Sequence, residues 1–375
     1  MLNKKLIAIM LIFAAFIIGC DDSSDDEDKK YTLTVVSSDD AQGSIAVSPS
    51  GTIFKSGTVV TLTATATSPY SFYKWTGNIP LDGNQTQSSI QITMSKNRTV
   101  TANFLFNLQL LHFADIDGNE ETALASVDEF SALVDGFKKD STYGGNTIVV
   151  SSGDNIIPGP RYFASEKDAV ETITGSDEPG SADHYILNQL GVVASAVGNH
   201  ELDMSPGEFD DSINKDDFMT TFPYLACNID FSAEFSSLVG VDGSEYTELA
   251  GKVAKYTVVT VNNVKIGIVG ASTPDLGTIT SIGDLVITPS DDWEADDLAD
   301  EIQPSVDALK NAGIDKIILL AHMQKISIEK SLATKLSGVD IIVSGGSNTR
   351  MGDDNDTLFP GDTAFDEDYP FVTTD

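Results

Sequence analysis

Asn199, His200, Glu201 and Asp203 put an amide oxygen, an imidazole and two carboxylates within five positions. Asn199 can coordinate a hard metal ion through its carbonyl oxygen. His200 can reach a ligand on that ion, and Asp203, three residues on, can hold the imidazole in one tautomer. The apolar run Val192–Ala196 comes just before and reads as a buried strand. Loops that follow such strands carry the chemistry of α/β sheets. A polar loop with no chemistry has the same composition, so the reading rests on the rest of the chain.

Four further strand ends supply that support. Residues 108–113 run into Asp115 and Asp117, 147–150 into Asp154, 316–320 into His322, and 339–343 into Asn348. Each alone is weak, because Asp after a strand commonly caps a helix or forms a turn. Five successive strand ends with an oxygen or imidazole ligand are the layout of a two-metal hydrolase. In such a site two cations about 3.5–4 Å apart activate a bridging hydroxide and neutralise an anionic phosphoryl group.

Alternating elements must position these residues. Residues 121–139 carry Leu124, Val127, Phe130, Leu133, Val134 and Phe137 at helical spacing. Residues 224–229 read as a strand, and 256–261 with 264–269 as a hairpin around Asn262 and Asn263. Helices are expected at 296–311 and 326–336. Strands alternating with helices predict an α/β sheet whose strand ends converge on one site. Upstream, 31–36, 43–49, 57–64, 89–94 and 99–104 are short period-2 runs rich in Thr and Val. They predict an independent all-β unit over 31–106, with Trp75 as its core aromatic.

The chain has 375 residues, 41% of them hydrophobic, and a net charge of -35. That is enough for two or three domains, and so acidic a surface excludes nucleic-acid binding through phosphate contacts. Cys20 and Cys227 provide no disulfide framework, and Cys227, in an apolar run, reads as a buried thiol. Lys4 and Lys5 precede an apolar run over 6–18 that ends in Gly19 and Cys20. This resembles the lipobox of bacterial lipoproteins, with Ile18 departing from the usual small residue. It implies a cleaved signal peptide over 1–19, a lipid-attached Cys20 and an acidic tether over 20–30. The expected place is the cell envelope outside the cytoplasm, on a membrane through the lipid anchor.

Residues 57–59, 72–75, 92–94 and 101–104 resemble the internalin-type B repeat, which implies a spacer or adhesion role. Residues 110–115, 153–154, 198–203 and 319–322, in that order, resemble the calcineurin-like metallophosphoesterases of the 5'-nucleotidase branch. Residues 266–274 match a further stretch of that branch. The resemblance implies an α/β (α+β) fold over 107–375, a sandwich of two β-sheets flanked by helices. It implies two divalent metal ions bridged by Asp154, with Asp115 on one ion and Asn199 and His322 on the other. His200, oriented by Asp203, would protonate the leaving group or stabilise the transition state. The implied reaction is hydrolysis of a small phosphate ester, a nucleotide.

Three positions depart from the family. Its Asp-x-His motif reads Asp115-Ile116-Asp117 here, and Gly346 and Asn348 stand where it has two histidines. Asp117 and Asn348 can still ligate, and oxygen donors favour Mn²⁺, Mg²⁺ or Ca²⁺ over Zn²⁺. Two readings stay open, a re-tuned enzyme and an inactive phosphoesterase-fold surface protein with an adhesion or binding role. Residues 351–375 are acidic and loop-like, so the phosphoesterase domain is expected to be incomplete at its C-terminal side. His112 is expected to pack within its strand and His184 to lie on a helix surface.

Overall fold

The computed structural model describes residues 29–38, 42–79, 84–116, 126–290, 292–358, 361 and 363–373. Cys20, the segment before it and Asp117 lie outside the described residues. The chain divides into two units, Met1–Phe106 and Asn107–Asp375.

Period-2 alternation builds the first unit from two sheets. One orders the strands Ile53–Lys55, Lys30–Ser37, Arg98–Phe106 and Tyr70–Gly77; the other orders Gly43–Ser48, Val59–Ala66 and Ser89–Thr93. Val60, Leu62 and Ala64 alternate inward from one sheet and Val100, Ala102 and Phe104 from the other. Trp75 is fully buried among them, and its indole Nε1 donates to Gln87 O at 3.0 Å. The Tyr70–Gly77 strand escapes the sequence pattern because its pairing with Arg98–Phe106 shifts register between Phe72 and Lys74, which breaks the alternation.

In the second unit a five-stranded sheet runs Val253–Ala254, Tyr224–Leu225, Val192–Ala196, Thr147–Ser151 and Gln109–Phe113, all parallel. A four-stranded sheet runs Tyr256–Val261, Val264–Ser272, Ile317–His322 and Ile341–Gly345, with the first pair antiparallel. Asn262 and Asn263 both take positive φ (48° and 67°), the backbone that a two-residue hairpin demands.

Helices cover the outer face of each sheet. Val134, from helix Val127–Lys138, joins Leu187 and Leu190 from Ser181–Leu190 and Phe209 from Pro206–Ile213 in a core with Val149 and Val192. Leu133 and Phe137 lie exposed on the first of these helices. Helix Ala295–Asn311 starts with a capping box between Glu294 and Asp297. Its Leu298, Ile302, Val306 and Leu309 pack as one stripe against Val269, Ile317 and Leu319. The sheets meet at Gly270, where a Cβ would lie 2.2 Å from Leu225 O, so only glycine permits the approach. The second unit is thus a sandwich of two sheets flanked by helices, and the ends of its strands share one edge.

Four expectations need correction. Residues 224–229 are not one strand. After Leu225 the chain crosses to the second sheet, Cys227 N donating to Gly270 O at 2.8 Å, and Ile229–Asp230 then pairs with Val286–Ile287. Asn228 holds the crossing by bonding Ser272 in both directions, at 2.8 and 3.0 Å. The helix expected to 336 stops earlier, as Ile326–Leu332, and continues as turns in which Thr334 Oγ1 bonds Ser331 O. His184 is fully buried, edge-on to the Tyr224 ring, with Nε2 2.9 Å from the Tyr224 hydroxyl. His112 is exposed on an edge strand, and its Nε2 lies 2.9 Å from Ser152 Oγ.

Candidate metal centre

One buried carboxylate ties the strand-end loops together. Glu201 accepts from the backbone N–H groups of Gly198 (2.7 Å), Asn155 (2.7 Å) and Asp154 (2.9 Å), and from Asn155 Nδ2 (3.2 Å). Asn155 Nδ2 also reaches Tyr224 Oη at 3.1 Å, which extends the network to His184. Asp115 N donates to Gly153 O and Ile116 N to Asp154 O, each at 3.1 Å, which stitches the first loop to the second. A Cβ on Gly153 (φ +95°) would stand 2.7 Å from Gly198 N, so a side chain there would push the two loops apart.

Backbone strain gathers here. Of the eight non-glycine residues with positive φ among the described residues, four are Asp115, Asp154, Gln324 and Asn348. The other four, like three of these, are Asp or Asn, which tolerate the left-handed region; Gln324 is the exception. Strain of this kind persists where surrounding contacts enforce it, commonly at functional sites.

The ligand-type atoms converge. His322 Nε2 lies 3.1 Å from Asp154 Oδ2 and 3.2 Å from Asn199 Oδ1, with His322 and Asp154 both buried. His322 Nδ1 lies 2.7 Å from Ser152 O and must donate to it, since a carbonyl only accepts. That tautomer turns the Nε2 lone pair towards two oxygen acceptors. Asn199 Oδ1 accepts from Gln324 Nε2, so the pair that requires a cation or a proton between its atoms is His322 Nε2 with Asp154 Oδ2, and this donor set fits a divalent metal ion. Asp115, Asp154 and His322 each offer a ligand atom within 4.8 Å of the others. Asp115 Oδ2 also accepts from Gly346 N at 3.0 Å.

The same convergence sets the electrostatics. Burial, followed by the Asp154 charge, raises the Glu201 carboxyl from 4.5 to about 7. Burial opposes a charged His322, but the Asp154 hydrogen bond and charge, with Glu201 behind, outweigh it and raise the imidazole from 6.5 to about 9. His322 holds its proton more tightly when folded, so its stabilising contribution is present at low pH and is lost between about pH 6.5 and 9. The metal-free chain is therefore expected to melt at a lower temperature at pH 9 than at pH 5.5, and saturating Mn²⁺ should remove most of the difference by replacing that proton. A pH dependence unchanged by Mn²⁺ would contradict this coupling.

His200 stands beside the cluster, half-buried. Its Nδ1 lies 2.5 Å from Asp203 Oδ2, Asp203 Oδ1 accepts from Thr280 Oγ1 at 3.0 Å, and the His200 backbone N donates to Asp154 Oδ1 at 2.9 Å. The ring's other nitrogen, Nε2, lies 4.0 Å from Asp154 Oδ2. Of the residues singled out from sequence, Asp115, Asp154, Asn199, His200, Asp203 and His322 come together. Asn348 follows Gly346 in the same loop but is exposed and makes no side-chain hydrogen bond among the described residues. The sequence patterns assign no role to Glu201, Asn155, Tyr224 or Gln324. Glu201's place inside the 199–203 cluster was a signal for it.

The chain is similar to 5'-nucleotidases. The chain is 30% identical over 190 residues to the 5'-nucleotidase of Bos taurus, covering 51% of this chain and 29% of that one. It is 28% identical over 253 residues to the 5'-nucleotidase of Diplobatis ommata, covering 65% and 38%. The chain thus spans well under half the length of these relatives. The crystal structure of a 5'-nucleotidase precursor from Thermus thermophilus superposes with a TM-score of 0.52 at 26% identity, over 71% of this chain and 46% of that one. Residues 31–107 match the divergent InlB B-repeat domain.

Proposed function

We propose that the chain is a metal-dependent phosphoric ester hydrolase that acts on nucleotides outside the cytoplasm, held to a membrane through acylated Cys20. The observation that carries the reading is the convergence of Asp154, His322 and Asn199 beside an oriented His200–Asp203 pair. The similarity to 5'-nucleotidases supports the nucleotide class. Among the described residues no helix is long and apolar enough to cross a membrane.

Asp115, Asp154, Asn199 and His322 would hold the ions, with Asp154 shared between them. The oxygen-rich donor set favours Mn²⁺, Mg²⁺ or Ca²⁺ over Zn²⁺. The chemistry such ions supply when bound is polarisation of a phosphoryl oxygen and activation of a water. His200 performs the proton work. Asp203 accepts from Nδ1 and Thr280 steadies Asp203, so that the imidazolium form of His200 would give its Nε2 proton to the leaving oxygen. Burial of Asp154 and His322 keeps water from competing for the ligand atoms.

The test is phosphate release from a panel of nucleoside 5'-monophosphates and simple phosphate esters with Mn²⁺ present. His200→Gln is expected to slow release by about 10²–10⁴-fold without loss of bound metal. Unchanged release in that variant would remove His200 from the mechanism. Bound metal with no release from any ester would favour the inactive surface protein.

A further inference from the structure

We infer that Gln324 supplies a carboxamide oxygen to the Asn199–His322 side of the metal centre, filling the ligand place that Gly346 leaves empty. The inference rests on the metal-centre reading and deepens it. Gln324 lies two residues beyond His322, half-buried, at the end of the Ile317–His322 strand. Its Nε2 donates to Asn199 Oδ1 and lies 3.1 Å from His322 Nε2. The side-chain amide therefore stands against both atoms assigned to that ion.

Gly346 explains why there is room for it. A Cβ at position 346 would lie 2.7 Å from His322 Nε2 and 2.9 Å from Gln324 Nε2. A side chain at 346 and the Gln324 amide would claim the same space beside the ligand atoms. The chain has no side chain at 346 and an amide from 324. The backbone bears a cost for this, since Gln324 sits at φ +64° and Gln lacks the short side chain that eases Asp and Asn into that region.

The two ends of a carboxamide are nearly isosteric. With a cation among Asn199, His322 and Asp154, a half-turn about the terminal torsion exchanges the NH₂ group for Oε1, an acceptor with two lone pairs. The polar end that now donates to the ligand atoms then joins them, and hard divalent cations accept such amide oxygens.

The experiment is calorimetric titration of the metal-stripped chain with Mn²⁺ alone, for wild type, Gln324→Leu and Gln324→Glu, each first shown by thermal melting to be folded. Leu keeps the bulk and removes the oxygen, and Glu replaces the amide with a stronger oxygen ligand. The expected result is loss of one site, or at least a ~10-fold weaker Kd, in the Leu variant. The Glu variant should bind as tightly as wild type or more tightly. A Leu variant that binds Mn²⁺ equally well or better would overturn the inference while leaving the metal centre standing, because Gln324 would then be filler or a plug. A wild-type chain that takes up no Mn²⁺ would overturn both.

Discussion

Asp154→Ala is expected to lower phosphate release by at least ~10³-fold and to strip bound metal from the purified chain. Asp154 Oδ2 faces His322 Nε2 at 3.1 Å, and Oδ1 accepts from His200 N at 2.9 Å. The side chain thus touches both the ligand cluster and the backbone that presents His200. On the proposed reading, removing it takes away the shared ligand and loosens the acid at once. Asp154→Asn separates the two effects. The amide keeps an acceptor for His200 N but offers less charge to a cation, so metal affinity should fall while the fold is retained. Elemental analysis and phosphate release on both variants provide the check, and near wild-type release from Asp154→Ala would remove the shared-ligand role.

Glu201→Ala is expected to destabilise the second unit by about 3–5 kcal/mol. It would strand three buried backbone N–H groups that now bond one carboxylate. Each unsatisfied buried donor costs about 1–3 kcal/mol. Gln is a poor rescue, because its NH₂ end would face N–H donors on Asp154 and Gly198 or on Asn155. The loss should also reach metal affinity, since the Asp154 and Asn199 loops are joined through this residue. Denaturant unfolding with chelator present gives the stability change free of bound metal. A loss below about 1 kcal/mol would show that the loops are held by other contacts.

The two effects explain which parts of the site could be seen in the sequence. Ligands must sit at strand ends, and a strand that ends in Asp154, Asn199 or His322 announces itself through the apolar run before it. The order of those ends along the chain carried the fold with them. Glu201 looked like one more polar residue of the same loop. Its role depends on N–H groups of Asp154 and Asn155, 46 to 47 positions away. Gln324 matters because Gly346 is bare, and that pairing exists only once the Ile317–His322 and Ile341–Gly345 strands lie side by side. His184 misled for a related reason. It has polar character on an amphipathic helix, but the Tyr224 hydroxyl gives it a partner inside. Burial then pushes its imidazole down to about 4, so it stays neutral in the core. The Tyr224–Leu225 strand stops short because Asn228 and Gly270 draw the chain across to the other sheet, a contact that no local pattern encodes.

The most direct test of the central claim is phosphate release from a nucleoside 5'-monophosphate by the metal-stripped chain as Mn²⁺ is added back. The account predicts no release without metal, and release that rises with Mn²⁺ and saturates as the ions bind. Release that is unaffected by stripping, or full occupancy by Mn²⁺ with no release from any nucleotide, would contradict it.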